Sequence, residues 1–298
     1  MTVRRIALAA AIAAFVAGLV IAATVGLPQQ TARHMMSQIP RMHPIEEVSH
    51  TTTTAYRPLP SAEIEALPEA RYNAVIAGLM AATDPSADAG RSAAIAYSIG
   101  TDTPIYGVDR ITPVGRFGVN DFLGGPTVVV PIEMDGDWAR VLTPSRKVLP
   151  SESGGSAPAQ TAGWIRAEAL IDPTPLPRRI LVSIAGQTLT IVAGETVEQT
   201  FRVGVGMPST PTPHGVTGYL QARYLDPAQN QARHPVQLTS LHSTTADEPF
   251  GGSDGGLIGM HYERTATGAV SHGCIRLSST AIEAVDALPL GTPISIVP

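Results

Sequence analysis

Cysteine and lysine are almost absent from this sequence. Among 298 residues there is one cysteine, Cys274, and one lysine, Lys147. A single cysteine excludes an internal disulfide framework and leaves one thiol that is free for chemistry. The scarcity of lysine, the scattered arginines and a formal net charge of -5 provide no basic stripe. The composition therefore argues against nucleic acid as a partner, because phosphate binding requires clustered positive charge.

Aromatic and charged residues are also sparse, at 5% and 15%, whereas glycine (28) and proline (26) are abundant. A hydrophobic content of 44% is that of a globular protein. Many glycines and prolines are typical of turns between short strands, so the predicted fold class is mostly β. The length allows about two domains.

The first residues predict export. Arg4 and Arg5 precede an uncharged stretch of 22 residues, 6–27. A helix needs about 20 apolar residues to cross the hydrocarbon core. We expect residues 1–27 to be a signal anchor or signal peptide, and we favour the anchor because residues 22–24 are a poor cleavage site. The positive-inside rule then places the remainder outside the cytoplasm, membrane-anchored or secreted, in the cell envelope.

Residues 28–92 are predicted to be a linker followed by a helical spacer. Prolines and a run of threonines at 51–54 indicate a linker up to about Pro60. From residue 61 to about 83 the pattern favours a helix, with Pro68 in a first turn. Apolar residues then recur at helical spacing, at Tyr72, Val75, Leu79 and Met80.

Residues 93–174 are predicted to be a small β domain. Short β-like runs at 94–97, 127–131 and 138–142 are separated by glycine-rich turns. The pairing of residues 136–141 with Gly163-Trp164-Ile165 resembles bacterial SH3-like modules. A plain small β-barrel with Trp138 and Trp164 in its core or rim fits the same residues equally well.

Residues 178–298 are predicted to be a second β-rich domain. Strands are expected at 180–184, 188–192 and 200–203, with turns at 186–187 and 194–195. Near the end, residues 280–283 have a capping-box pattern, which predicts a short helix with Ile282, Val285 and Leu288 toward the core. A closing strand is expected at 294–296.

The chemistry is concentrated in one segment of this second domain. It reads Gly-Met-His over residues 259–261 and Ser-His-Gly-Cys-Ile-Arg-Leu over residues 271–277. If 271–277 is extended, Ile275 and Leu277 face the core while His272, Cys274 and Arg276 share the opposite face. His261 points away from the core by the same alternation, so the segment predicts a cleft that contains a thiol, two imidazoles and a guanidinium.

These residue types favour nucleophilic catalysis. A free thiol has a pKa near 8.5, so only a few per cent is thiolate at neutral pH, and a nearby imidazole can take its proton. A glycine beside the thiol allows backbone amides to face a developing oxyanion, and such a donor typically contributes ~3 kcal/mol. An inert core thiol is the competing interpretation, because isolated free cysteines are often buried.

Over residues 178–298 the sequence resembles the L,D-transpeptidase family with a YkuD-type catalytic domain. The resemblance is carried by residues 258–261 and 271–277, and by two further stretches, 204–215 and 250–252. It implies that Cys274 is the nucleophile and His261 the general base, oriented by the carbonyl of Tyr262. It also implies supporting roles for His272, Gly273, Ser271 and Arg276.

The resemblance implies a peptidoglycan L,D-transpeptidase that needs no cofactor. Such an enzyme forms an acyl-enzyme on a tetrapeptide stem, releases the terminal D-alanine and makes 3→3 cross-links to an acceptor stem. Carbapenem-type compounds are the expected inhibitors. This chain departs from many relatives in having Tyr262-Glu263 after the histidine and only nine residues between His261 and Ser271, which concerns acceptor choice more than chemistry.

Four other interpretations compete with this one. An L,D-carboxypeptidase would use water in place of the acceptor amine, and a non-catalytic wall-binding protein would retain a dead catalytic domain. A zinc site made of His261, His272 and Cys274 is disfavoured by the spacing of the last two. A dinucleotide site at Gly204 lacks the third glycine, because Ser209 stands there.

Overall fold

The computed structural model describes residues 56–82, 94–251 and 254–298. The predicted membrane segment, residues 1–27, and most of the predicted linker lie outside these ranges. Within them, no helix has the length and apolar character needed to cross a membrane. The described residues belong to one compact unit that spans Thr53–Pro298.

Strands dominate the described residues, as the composition predicts. We call the first nine strands the N-terminal β module: β1 Met80–Ala81, β2 Ile95–Ile99, β3 Thr103–Tyr106, β4 Pro113–Phe117, β5 Val128–Val129, β6 Pro131–Asp135, β7 Trp138–Thr143, β8 Thr161–Arg166 and β9 Leu170–Pro175. One sheet has the order β4-β3-β8-β7-β6, with β1 also paired to β8, and a second has the order β5-β2-β9. The predicted β structure is therefore confirmed here, whereas the SH3-like identity of the module stays a prediction.

The predicted helical spacer over residues 61–83 is confirmed only at its start. Among the described residues of that range, 61–82, helix is confined to α1, Ser61–Glu65. After it the chain forms an extended strap, residues 66–82, whose amides pair with the N-terminal β module: Ala70 N donates to Arg116 O at 2.8 Å and Ile76 N to Arg146 O at 2.9 Å. Pro68 disfavours helix in the residue before it, and tertiary hydrogen bonds replace the helical ones.

The remaining strands form one ten-stranded sheet, the C-terminal β module. Its strands are β10 Arg178–Ser183, β11 Thr188–Ala193, β12 Thr196–Arg202, β13 Gly204–Gly206, β14 Val216–Asp226, β15 Gln231–His242, β16 Leu257–Tyr262, β17 Gly268–Ser271, β18 Ile275–Leu277 and β19 Pro293–Val297. They follow the order β12-β11-β10-β19-β14-β15-β16-β18-β13-β17. The predicted strands of this region are confirmed.

A single helix, α2 (Ser279–Asp286), packs on this sheet. Ile282, Val285 and Leu288 are buried, as predicted from their spacing. The cap differs from the prediction: Ser278, not Thr280, is the N-cap, and its hydroxyl accepts a hydrogen bond from Ala281 N at 3.3 Å. The helix thus starts two residues earlier than the capping-box pattern indicates.

The two modules pack through both apolar and polar contacts. Tyr219 of β14 lies in one buried cluster with Leu142 and Val130 of the N-terminal β module. Ser240 of β15 donates to the side-chain carbonyl of Gln160 at 2.5 Å in the same interface. The domain limits expected from the sequence, 93–174 and 178–298, stay predictions, because this interface makes the modules one packed unit.

Candidate active site

Two paired strands bring the candidate nucleophile and base together. Strand β16 pairs in parallel with β18, and the register aligns His261 with Arg276 and Met260 with Ile275. Cys274 immediately precedes β18, so it stands beside Gly259. The 13-residue gap in sequence is thus closed by strand pairing.

The sulfur of Cys274 lies on the face of β16 that also carries His261. Gly259 N donates to Cys274 Sγ at 3.4 Å, and the thiol is 3.9 Å from Leu257 O. A methyl group at position 259 would be 4.0 Å from the sulfur, so Sγ lies over that face of the strand. Residues 259 and 261 share this face and are about 6.6 Å apart along the strand, a distance that two side chains can bridge.

The predicted continuous strand over residues 271–277 is wrong at its centre. Strand β17 ends at Ser271 and pairs in parallel with β13, whereas β18 begins at Ile275 and pairs antiparallel to β13. The chain therefore reverses at residues 272–274. Gly273 makes this possible with φ +118°, and a Cβ there would be 2.9 Å from Ile258 Cδ1; only glycine adopts this conformation readily.

This reversal changes which side chains share a face of the strand. Ile275 and Leu277 are fully buried, as predicted. His272, however, is exposed and rests edge-on against Phe250, with ring centroids 5.9 Å apart. The predicted common face of His272, Cys274 and Arg276 required an extended chain, so His272 is not part of that strand face.

Hydroxyl groups brace the turn that carries the thiol. Ser271 is buried, and its Oγ donates to Cys274 O at 2.5 Å and accepts from the amide of Gly273 at 3.2 Å. Thr212 Oγ1 donates to Gly273 O at 2.7 Å and accepts from Gly206 N at 2.8 Å. Thr212 lies in the 204–215 stretch that carries the family resemblance, but no role was identified for it from the sequence, because its contact is 61 residues away.

His261 is oriented by the backbone that follows it. Its Nδ1 is 3.2 Å from Tyr262 O. Because a carbonyl only accepts, this contact puts the proton on Nδ1 and leaves the Nε2 lone pair available as a base. The same carbonyl accepts from Gln231 Nε2 at 2.9 Å, and Gln231 is buried. Gln231 was not identified from the sequence.

Burial keeps both candidate groups neutral. It lowers the pKa of His261 below its ordinary value, and the nearby Arg276 acts in the same direction while Tyr262 O opposes it. Burial also raises the pKa of the Cys274 thiol, although the Gly259 amide and Arg276 partly offset this. The resting pair is therefore a thiol beside a neutral imidazole rather than a thiolate beside an imidazolium.

No group of three His, Cys, Asp or Glu side chains in the described ranges has a metal-binding arrangement. The zinc interpretation of His261, His272 and Cys274 therefore finds no supporting cluster there. His242 lies at the end of β15 and is buried, with Nε2 2.7 Å from Tyr72 O.

Comparison with known proteins matches this site to one family. Residues 177–296 match the family model of the L,D-transpeptidase catalytic domain, YkuD. A Bacillus subtilis protein named "Putative L,D-transpeptidase YkuD" is 28% identical over 145 residues, which cover 47% of this chain and 80% of that protein. The protein of the same name from Bacillus licheniformis is 27% identical over 150 residues, or 50% and 82% of the two chains.

A solved structure of L,D-transpeptidase 3 from Mycobacterium tuberculosis, in complex with a faropenem-derived adduct, is also similar. It is 14% identical, with 58% of this chain and 91% of that chain covered, at a TM-score of 0.32. The assignment rests on the sequence matches rather than on this superposition. The family-model match lies in the C-terminal β module, in agreement with the motif positions.

Proposed function

Residues 177–296 are a YkuD-type L,D-transpeptidase catalytic domain, and we propose from this premise that the chain is a cysteine acyltransferase with Cys274 as nucleophile. One observation carries the proposal. The Cys274 sulfur lies over the strand face that holds His261, and the Nδ1 contact of that histidine leaves Nε2 free to accept a proton.

The first half-reaction starts from the neutral pair. His261 Nε2 takes the thiol proton as the sulfur attacks the carbonyl carbon of the third residue of a tetrapeptide stem. The carbon–nitrogen bond to the terminal D-alanine then breaks, and the imidazolium returns the proton to the departing amine. The product is a thioester on Cys274 plus free D-alanine.

In the second half-reaction an amine of an acceptor stem attacks the thioester. His261 accepts the proton of that amine, the carbon–sulfur bond breaks, and the thiol is restored. The new amide bond is a 3→3 cross-link. Neither half-reaction needs a cofactor, because the proton is transferred between groups that the site already holds.

The neighbouring residues have supporting roles. The amide of Gly273 is committed to Ser271 Oγ, so we assign the principal oxyanion donor to the amide of Cys274. Ser271 holds the turn, and Tyr262 orients the base through its carbonyl. Arg276, aligned with His261 in the register, adds positive charge beside the site. His272 is exposed and lines the approach together with Phe250.

The proposed substrate places the protein outside the cytoplasm, at the peptidoglycan. Donor and acceptor stem peptides are the partners, and carbapenem-type compounds are proposed to acylate the same sulfur. Membrane attachment through residues 1–27 and a wall-directed role for an SH3-like N-terminal β module belong to the same proposal.

The test is to incubate the full chain with a tetrapeptide donor and to follow intact mass and products. We expect a tripeptide-acyl adduct on Cys274, free D-alanine and, with acceptor, a cross-linked dimer. Cys274→Ala is expected to lose the adduct completely while its melting temperature stays near that of the wild type. Free tripeptide without dimer would indicate an L,D-carboxypeptidase instead. An unmodified wild-type protein would contradict the proposal and favour the non-catalytic interpretation.

A further inference from the structure

The loop that precedes the histidine strand is held by a residue of the other module. We call residues 243–251 and 254–256 the His-strand loop, since they lead into β16. Its base is closed by Ser243 N, which donates to Gly256 O at 2.8 Å. The described part of the loop ends directly at Leu257, whose carbonyl faces the thiol. A displacement of this loop would therefore move the backbone that surrounds the sulfur.

Arg146 reaches this loop from the end of the N-terminal β module. Its side chain is 2% exposed, although arginine is rarely buried without partners. Nη2 donates to Ser243 O at 3.2 Å and to Ala246 O at 3.1 Å. One guanidinium nitrogen thus joins two carbonyls of the loop.

The backbone of Arg146 is held as well, whereas Nε and Nη1 have no hydrogen-bond partner. Its amide donates to Ala74 O at 3.0 Å and its carbonyl accepts from Ile76 N at 2.9 Å, so the strap clamps its backbone. On the loop side, a Cβ at Gly256 would be only 2.0 Å from Nη2. Glycine at this position is what allows the guanidinium to lie against the loop.

Charge complements this geometry. Asp247, Glu248 and Asp254 of the His-strand loop favour the charged guanidinium, although burial lowers the pKa of Arg146 more than they raise it. Asp254 also raises the pKa of Cys274. Asp254 thus acts electrostatically on both Arg146 and the Cys274 thiol, whereas the cation that acts on the thiol directly is Arg276.

The loop also shapes the approach to the sulfur. It carries Phe250, which is 69% exposed and lies edge-on to the ring of His272 in the thiol turn. Leu257 and Gly259, which follow the loop, contact the sulfur. The thiol turn and the strand beside the sulfur are thus both in contact with the segment that Arg146 holds or with the residues that follow it.

We propose that Arg146 is a positioning residue for the active site, through which the N-terminal β module holds the His-strand loop and keeps the backbone of Leu257 and Gly259 against the Cys274 sulfur. The expected effect on the rate of acylation depends on the proposed acyl transfer. It makes the N-terminal β module part of the catalytic unit rather than an appended module.

The experiment uses the full chain with Arg146→Met and Arg146→Lys. The matched control is Arg140→Met, which lies on the same module but pairs with Glu133 at 2.9 Å. Two rates are measured at a temperature where each variant is folded, as judged by its melting curve. One is single-turnover acylation of Cys274 by the tetrapeptide donor, and the other is alkylation of Cys274 by iodoacetamide across pH.

We expect Arg146→Met to slow acylation by roughly ten- to hundredfold, because small misplacements near the reacting atoms have effects of that size. Its alkylation profile is expected to move to higher pH, since Asp254 loses its cationic neighbour. Arg146→Lys keeps the charge and should keep the wild-type alkylation profile. Its acylation should still be slower by at least roughly threefold, because an ammonium does not reproduce the planar geometry of a guanidinium.

An acylation rate within twofold of wild type in folded Arg146→Met, or an equal loss in Arg140→Met, would overturn the inference. If Arg146→Met does not fold, Arg146→Lys decides: a wild-type acylation rate overturns it. If the wild type itself is not acylated, the proposed function fails, and the alkylation profiles still test the link between Arg146 and the thiol.

Discussion

The two β modules differ in the sequence separation of the contacts that they contribute around the site. In the C-terminal β module, Gly259 contacts Cys274 across 15 residues, and His261 contacts the residue after it. The N-terminal β module contributes a contact that spans 97 residues, from Arg146 to Ser243, and the strap contributes one that spans 170 residues, from Tyr72 to His242. The reacting groups are thus supplied locally, and much of their support comes from a distant part of the chain.

The largest effect is expected inside the C-terminal β module, at Gly273→Ala. The backbone at φ +118° is unfavourable for any residue with a Cβ, and the added methyl group would crowd Ile258. The turn that carries the thiol would shift, so we expect acylation of Cys274 to fall by roughly a hundredfold. Intact-mass kinetics with the tetrapeptide donor measure this.

Gly194→Ala is the matched control for that change. Gly194 also has positive φ, at +57°, but it lies in the β11–β12 turn with open space around it. Its acylation rate should stay near the wild-type value even if the melting temperature falls slightly. Equal losses in the two variants would show that the turn at Gly273 has no special role.

A smaller effect is expected at the interface between the modules, at Ser240→Ala. The buried hydroxyl donates to Gln160 Oε1 at 2.5 Å and accepts from Tyr219 N at 3.1 Å. Its removal leaves both partners unsatisfied, which should lower the free energy of unfolding by about 1–3 kcal/mol. Denaturant unfolding measures this, with the exposed Ser279→Ala as a near-neutral control.

The same unfolding experiment also tests whether the two modules unfold as one unit. If the N-terminal β module is part of the catalytic unit, Ser240→Ala should shift one cooperative transition that both modules share. Two separate transitions, only one of them shifted, would show that the modules fold independently and would weaken the positioning role of Arg146.

How well the fold could be predicted also differs between the two parts of the chain. Strands β10 and β11 were predictable because Ile180, Val182, Leu189 and Ile191 alternate and are all buried. The strap was predicted as a helix because its apolar residues have helical spacing. Of those residues Leu79 is buried against the N-terminal β module, whereas Val75 is 43% exposed, because tertiary pairing overrides local preference.

The residue types of the candidate site were predictable from the sequence, but the course of its backbone was not. The Ser-His-Gly-Cys segment and the upstream histidine identify the chemistry from sequence. Alternation along a straight strand placed His272 on the face of Cys274, whereas the positive φ of Gly273 reverses the chain and exposes His272. Arg146 and Gln231 were missed, and the contact of Thr212 was not predicted, because these contacts depend on tertiary packing, which no short spacing records.

The central claim is proton transfer from a neutral Cys274 thiol to His261. A base with a lowered pKa is active in its neutral form, so acylation should be lost only as pH falls through a value below the ordinary 6.5. Direct alkylation of the thiol should keep rising above pH 9, because burial raises the pKa of Cys274.

The pH dependence of single-turnover acylation, compared between wild type and His261→Asn, tests that claim most directly. The wild type should show an acid limb below pH 6.5 and then a plateau. His261→Asn should lack that limb, be slower by roughly 10²- to 10⁴-fold at neutral pH, and accelerate toward high pH as thiolate forms. An unchanged rate in His261→Asn, or wild-type alkylation already maximal at pH 6, would contradict the account.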